Sequence, residues 1–198
     1  MATATAKGLA RAAMALDAAS CERILDSSLS AQGTVRTWEE LVRPVMAAIG
    51  RRWQSVDSGV EIEHTFSVAV AAGLARHTAA PTRARNDSPV LLASMPEELH
   101  DLPLRALQAA LAEQGIRSHL LGARTPADAL ADAVRRLGPP VVVLWAQMAV
   151  LETPALPVMR PPPVLIIGGP GVVDLPSISH RADSLKGAID QIRAALGF

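Results

Sequence analysis

From Gly8 to His77 the apolar positions recur at helical spacing in Ala-rich sequence. Leu9, Ala13 and Leu16 mark a first stripe, continued by Ile24 and Leu25. Gly33-Thr34 breaks the pattern. Thr37, with Glu40 three residues on, has the form of a capping box that opens the next helix, whose stripe is Leu41, Val45, Ala48 and Ile49. Gly50 marks either the end of that helix or a close contact inside it. Asp57-Ser58-Gly59 reads as a turn, and Ile62 to Arg76 as a further helix, apolar on Phe66, Val70 and Leu74. Four helical segments joined by short loops predict a small helix bundle over residues 1–80.

Ala79 to Ser88 is polar and rich in helix breakers, and reads as a linker. Beyond it the pattern changes to short apolar runs alternating with helical stretches, which predicts a parallel sheet over residues 88–198. The strands fall at Val90–Ser94, Arg117–Leu121, Val141–Leu144 and Val164–Ile167. The helices fall at Leu102–Gln114, Pro126–Arg136 and Asp183–Leu196. The third crossover, Ala146 to Pro163, is short and holds five prolines, so any helix there is stunted. A weak fifth strand near Ile178–His180 completes the sheet. The predicted class is α/β: an N-terminal four-helix bundle followed by a flavodoxin-like (Rossmann-like) five-stranded parallel sheet.

Charge removes several function classes. The 19 basic residues balance the 19 acidic ones, which argues against a dedicated nucleic-acid surface. Arg51-Arg52, Arg83 with Arg85, and Arg135-Arg136 read as solvated loops or helix ends. Cys21 is the single cysteine, so no disulfide framework forms within the chain, and it reads as a small buried apolar residue. No apolar run approaches the length of about 20 residues that a membrane span needs. Met1 to Lys7 carries no signal-peptide pattern, so a cytoplasmic setting is expected.

The candidate chemistry begins at Glu98-Leu99-His100, just after the first strand of the sheet. Open α/β sheets place ligands beyond the carboxyl ends of their strands. A neutral imidazole is the commonest protein metal ligand, and a carboxylate on its other nitrogen orients it. A second carboxylate–imidazole pair, Glu63-His64, lies ten residues after Trp53 in the helical half. Blander readings stand beside these. His100 can cap the helix from Asp101 or face solvent, Trp53 can be a core aromatic, and Glu63-His64 an exposed helix start. Gly168-Gly169-Pro170-Gly171 can be a tight strand-to-helix turn. His77, His119 and His180 show no partner pattern.

Taken together, the helical half, the Glu98-x-His100 loop and Gly168-Gly169 resemble the cobalamin-binding module family. Methionine synthase, the corrinoid methyl-transfer proteins and the light-sensing MerR-type cobalamin regulators share that module. The resemblance implies that His100 is the lower cobalt ligand, with Glu98 as its carboxylate partner. It also implies a slot for the displaced nucleotide tail, lined by position 145 and by Gly168-Gly169, and likens Leu121-Gly122-Ala123 to the family's loop after the second strand. Trp53, nine residues, then Glu63-His64 resembles the motif of the light-sensing branch. There the helices cap the upper face of the corrin, the Trp covers the upper ligand, and the Glu and His contact the groups around it. Three residues depart from the pattern. Pro103 stands where the loop carries Gly, Trp145 where a Ser lines the tail slot, and Gln54 where photosensors carry a His. The crossover after Trp145 is also short.

The function implied first is a cobalamin-binding sensor or transcriptional regulator, or a regulator's partner, holding adenosylcobalamin or another form and acting through a protein partner or a homo-oligomer. With no helix-turn-helix and no basic face, direct DNA binding by this chain is not expected, nor is membrane association or catalysis. The second reading is a degenerate adapter that binds another flat chromophore or only a protein. The third is a corrinoid methyl carrier, against which Trp53 and Glu63-His64 argue, because a tight cap blocks a methyl donor.

Overall fold

The computed structural model describes residues 5–198 apart from 57–58, 79–82, 151, 173–175 and 178, with only the backbone described at 52–56. The chain divides into two compact units, Met1–Ala79 and Ala80–Phe198.

The first unit is helical: α1 (Ala6–Met14), α2 (Ala18–Thr37), a π-helical turn (Trp38–Val42), α3 (Arg43–Val56) and α4 (Val60–His77). Thr5 caps α1 by accepting the Gly8 N–H, and Asp17 caps α2 by accepting the Ser20 N–H at 2.9 Å. Between the caps the chain turns at Leu16, which has φ of 56°. Leu16 is therefore outside α1 and exposed, not part of its buried stripe. The core is built from Leu9, Ala13, Cys21, Leu25, Leu29, Trp38, Leu41, Val45, Ile49, Phe66, Val70 and Leu74. Ala48, expected on the buried stripe, is exposed, whereas Val42, which the sequence reading did not name, is buried. Cys21 is free and buried; burial, then the nearby Asp17 charge, pushes its thiol pKa up, as befits an inert side chain.

The capping box at Thr37 does not form. The break occurs four residues earlier, at Gly33, where φ 77° and ψ 174° kink the helix. Helical backbone has resumed by Thr37, which makes no side-chain cap and runs directly into the π turn. Its hydroxyl is buried and must find an internal partner, which is Ser28 Oγ at 2.8 Å; Gln32 Nε2 donates to the same Ser28 Oγ at 2.7 Å. Glu40 instead accepts from Arg36 Nε at 2.8 Å. Arg76 on α4 reaches back to Glu22 and Asp26 of α2, each at 3.0 Å.

The second unit is a parallel sheet with helices: β1 (Val90–Ser94), α5 (Leu102–Glu113), β2 (Ser118–Gly122), α6 (Ala127–Leu137), β3 (Val141–Trp145), β4 (Val164–Gly168), β5 (Ser179–Ala182) and α7 (Leu185–Leu196). The strand order is β2-β1-β3-β4-β5, the doubly wound order of flavodoxin-like sheets. The fifth strand begins at Ser179; Ile178 lies outside the described residues. Val, Ile and Leu runs buried on both faces explain why these strands pair in parallel. Leu91, Ala93, Val142, Leu144, Leu165 and Ile167 face α6 and pack on Leu130 and Val134. The alternate positions face α5 and α7.

The proline-rich crossover after β3 holds no helix among the described residues. Val150, Leu156 and Met159 nevertheless pack on the α6 side of the core, so an irregular segment covers what a helix would. Residues 83–88 of the expected linker are fastened to the sheet unit. The Asn86 side chain accepts from Arg117 N–H and donates to the Arg117 carbonyl, both at 2.8 Å. The Arg85 guanidinium lies 4.1 Å from the centre of the Phe198 ring.

Candidate cofactor site at the switch point of the sheet

Because β2 and β3 lie on opposite sides of β1, the loops after β1 and β3 diverge at the carboxyl edge of the sheet. Doubly wound folds bind ligands at that place. Glu98 stands between the two loops. It is the one charged residue in the buried set among the described residues, 1% exposed. Its Oε1 accepts the backbone N–H of His100 at 2.7 Å and meets the ring Nδ1 of His100 at 2.5 Å. Its Oε2 accepts the backbone N–H groups of Gln147 at 2.5 Å and Met148 at 2.8 Å. The Glu98 carbonyl accepts the N–H of Arg124, in the loop after β2, at 2.8 Å. One residue thus ties three loops together.

Burial pushes the Glu98 carboxyl pKa up. The donors from Met148, His100 and Gln147 together outweigh it and hold the carboxyl below its usual range. The carboxylate is therefore the charged acceptor that fixes Nδ1 as the imidazole's bonded nitrogen. The His100 side chain is half exposed, and its Nε2 has no hydrogen-bond partner among the described residues. Leu99 (65% exposed) and Met148 (61%) give this edge an apolar surface beside the imidazole. No group of three His, Cys, Asp or Glu side chains that could hold a metal lies together among the described residues. One oriented nitrogen is a fitting axial ligand for a metal that arrives with most of its coordination sphere already filled.

Pro103 lies in the first turn of α5, where its fixed φ and missing N–H are harmless, and Asp101 before it pairs with Arg105 at 2.7 Å. Gly122 ends β2 with φ of 91°, in register with Ala93. Trp145 is the last residue of β3, in register with Ser94 on one side and Gly168 on the other. The glycines after β4 serve the chain's own backbone. A Cβ on Gly169 (φ 95°) would overlap the Ala146 carbonyl, and one on Gly171 the Met148 carbonyl. This close approach is sealed by Gly171 N–H to Ala146 O at 2.9 Å and Val150 N–H to Gly171 O at 3.0 Å.

The structure thus brings Glu98, His100, Trp145 and Gly168 to one edge of the sheet, with Gly122 and Gly169 at the ends of neighbouring strands. Glu63 and His64 lie in the helical unit, exposed in the first turn of α4, with His64 Nε2 3.6 Å from Glu63 Oε2. Ser67 donates to Glu63 at 2.6 Å. The side chains of Trp53 and Gln54 lie outside the described residues. The sequence reading missed the donors of Gln147, Met148 and Arg124. All three are backbone groups, which leave no trace in residue type.

Residues 5–77 match the family model described as the B12 binding domain. The HTH-type transcriptional repressor CarH of Myxococcus xanthus is 35% identical over 135 residues, which take in 67% of this chain and 44% of the repressor. The match thus spans less than half of that relative's length. Among solved structures, the monomethylamine corrinoid protein of Methanosarcina barkeri is similar with a TM-score of 0.68 at 14% identity, covering 94% of this chain and 96% of that one; the likeness is one of fold. Residues 5–77 are thus a B12 binding domain by their family match, and 67% of the chain is similar to part of the CarH repressor. Among the described residues no helix is long and apolar enough to cross a membrane.

Proposed function

We propose that this chain is a cobalamin-binding sensor module in which His100 is the lower cobalt ligand. The observation that carries the reading is the Glu98–His100 pair: a buried carboxylate engages Nδ1 at 2.5 Å and leaves Nε2 of a half-exposed ring without a partner among the described residues. A corrinoid held there would supply a cobalt–ligand bond that could be made and broken in response to a signal. Glu98 orients the imidazole and favours electron donation from it, as carboxylates do for metal-bound histidines. Leu99 and Met148 offer exposed apolar surface to a flat cofactor at this edge.

The similarity to CarH supports a regulatory rather than a catalytic role. In this reading Trp53, Glu63 and His64 serve the upper side of the cofactor. Gln54 carries no imidazole, so that position would not supply a second histidine to a bound cobalt; water or His64 would take that role instead. The output passes to a protein partner or to a change of oligomer, with no DNA contact made by this chain.

Full-length protein is to be incubated with adenosylcobalamin in the dark, gel-filtered and followed by absorbance before and after green light. Retained colour with a spectrum shifted by illumination supports the reading. Protein that elutes colourless overturns it, and colour that does not respond to light removes the light-sensing part.

A further inference from the structure

Ser94, Trp145 and Gly168 end three neighbouring strands in one register row. Residues in one row of a parallel sheet face the same side, and here it is the side of α5 and α7. The absent side chain of Gly168 leaves a trough in that row, and the indole of Trp145 fills it. A Cβ on Gly168 would stand 3.1 Å from Trp145 Cε3 and 3.3 Å from Cζ3. Trp145 Nε1 and Ser94 Oγ are both buried without a hydrogen-bond partner among the described residues. Buried indole N–H groups ordinarily find an acceptor. The indole is therefore held by packing on a bare glycine, at some polar cost.

His100 fits an axial cobalt ligand, but the residues where the resemblance places the nucleotide tail do not fit that tail. Gly168 is covered by the indole, while Gly169 and Gly171 are covered by the Ala146 and Met148 carbonyls. We propose that Trp145 occupies the place of the nucleotide base, so that this chain recognises its corrinoid by the ring and the axial imidazole alone, with the tail outside the sheet unit. Trp145 is then a specificity-determining residue that makes tail-less corrinoids ligands as good as cobalamin. The inference rests on the cobalamin-binding reading above.

Full-length protein is to be titrated separately with aquacobalamin and with the tail-less diaquacobinamide, and dissociation constants read from absorbance. The wild-type constants are expected to agree within about threefold. Trp145→Ser opens the trough and is expected to shift the ratio toward aquacobalamin by about tenfold or more, the scale of one well-packed aromatic contact. Trp145→Phe keeps a ring in place and is expected to retain the wild-type ratio, which serves if the Ser variant fails to fold. Wild-type preference for aquacobalamin of about tenfold or more overturns the inference. So does a Ser variant that folds and leaves the ratio unchanged. If neither corrinoid binds, the cobalamin reading itself falls, and this inference with it.

Discussion

Glu98 Oε1 lies 2.5 Å from His100 Nδ1, while its Oε2 holds the backbone of Gln147 and Met148, 49 and 50 residues further along the chain. The same carboxylate therefore orients the proposed ligand and closes the carboxyl edge of the sheet. Glu98→Gln tests both roles. Whichever way the amide is turned, its NH2 faces an N–H donor that the carboxylate had accepted. The variant is expected to lose about 3 kcal/mol of stability, measured as a lowered urea midpoint at unchanged slope.

His100→Ala separates binding from folding. The imidazole is half exposed and its loss opens no core cavity, so the urea midpoint should move by less than about 1 kcal/mol. Affinity for aquacobalamin should fall by about 10- to 100-fold or more, with the bound spectrum changed because the axial nitrogen is gone. Wild-type affinity and spectrum in the variant would rule out His100 as the ligand.

Gly171 and Gly138 make a controlled pair. A Cβ on Gly171 would meet the Met148 carbonyl, which is backbone and cannot swing away, whereas one on Gly138 (φ 53°) meets nothing within 4 Å. Gly171→Ala is expected to cost about 3 kcal/mol or more through displaced backbone. Gly138→Ala should cost about 1 kcal/mol, the strain of a left-handed residue alone. Equal urea midpoints for the two variants would contradict the close approach of the loops after β3 and β4.

The sheet was readable because Val90–Ser94, Val141–Leu144 and Val164–Ile167 are apolar runs bounded by breakers, a pattern that few other structures can bury. The Glu98–His100 pair was readable because the two residues are neighbours in sequence. What Glu98 does with its other oxygen was not, because its partners are backbone N–H groups in the loop after β3. The same holds for Gly168 and Gly169. Residue type showed that a close approach occurs there, and only the structure showed that the approaching groups are the Trp145 ring and the Ala146 backbone. Leu16 was misplaced because a left-handed residue after a helix keeps the spacing of a stripe while turning its side chain outward.

Thr37 and Glu40 looked like a capping box because the spacing of types is right, yet Gly33 kinks the chain first and Thr37 is helical. The two arrangements predict different mutational patterns. A capping box makes both residues matter. The buried pair of Thr37 and Ser28 hydroxyls makes Thr37→Val cost about 1–2 kcal/mol. Glu40→Ala, which loses only an exposed pair with Arg36, should cost less than about 0.5 kcal/mol. Chemical denaturation of both variants distinguishes the two.

Asp17 supplies a pH dependence whose sign is fixed by its cap. Its pKa is lowered, first by the Ser20 hydroxyl and then by the Ser20 backbone N–H. A depressed folded-state pKa means that the native state favours the ionised form. The contribution is therefore present above the ordinary carboxyl value of 3.8 and lost as pH falls through the lower, folded value. Asp17→Asn keeps an N-cap acceptor but cannot ionise. Thermal midpoints of the two proteins should differ at about pH 7, with wild type higher, because the charged acceptor binds more strongly at a helix N-terminus. The gap should narrow as pH is lowered below the ordinary carboxyl value of 3.8, where the unfolded chain takes up the proton before the folded carboxyl does. A gap that stayed constant across that range would show that the charge on Asp17 adds nothing to the cap.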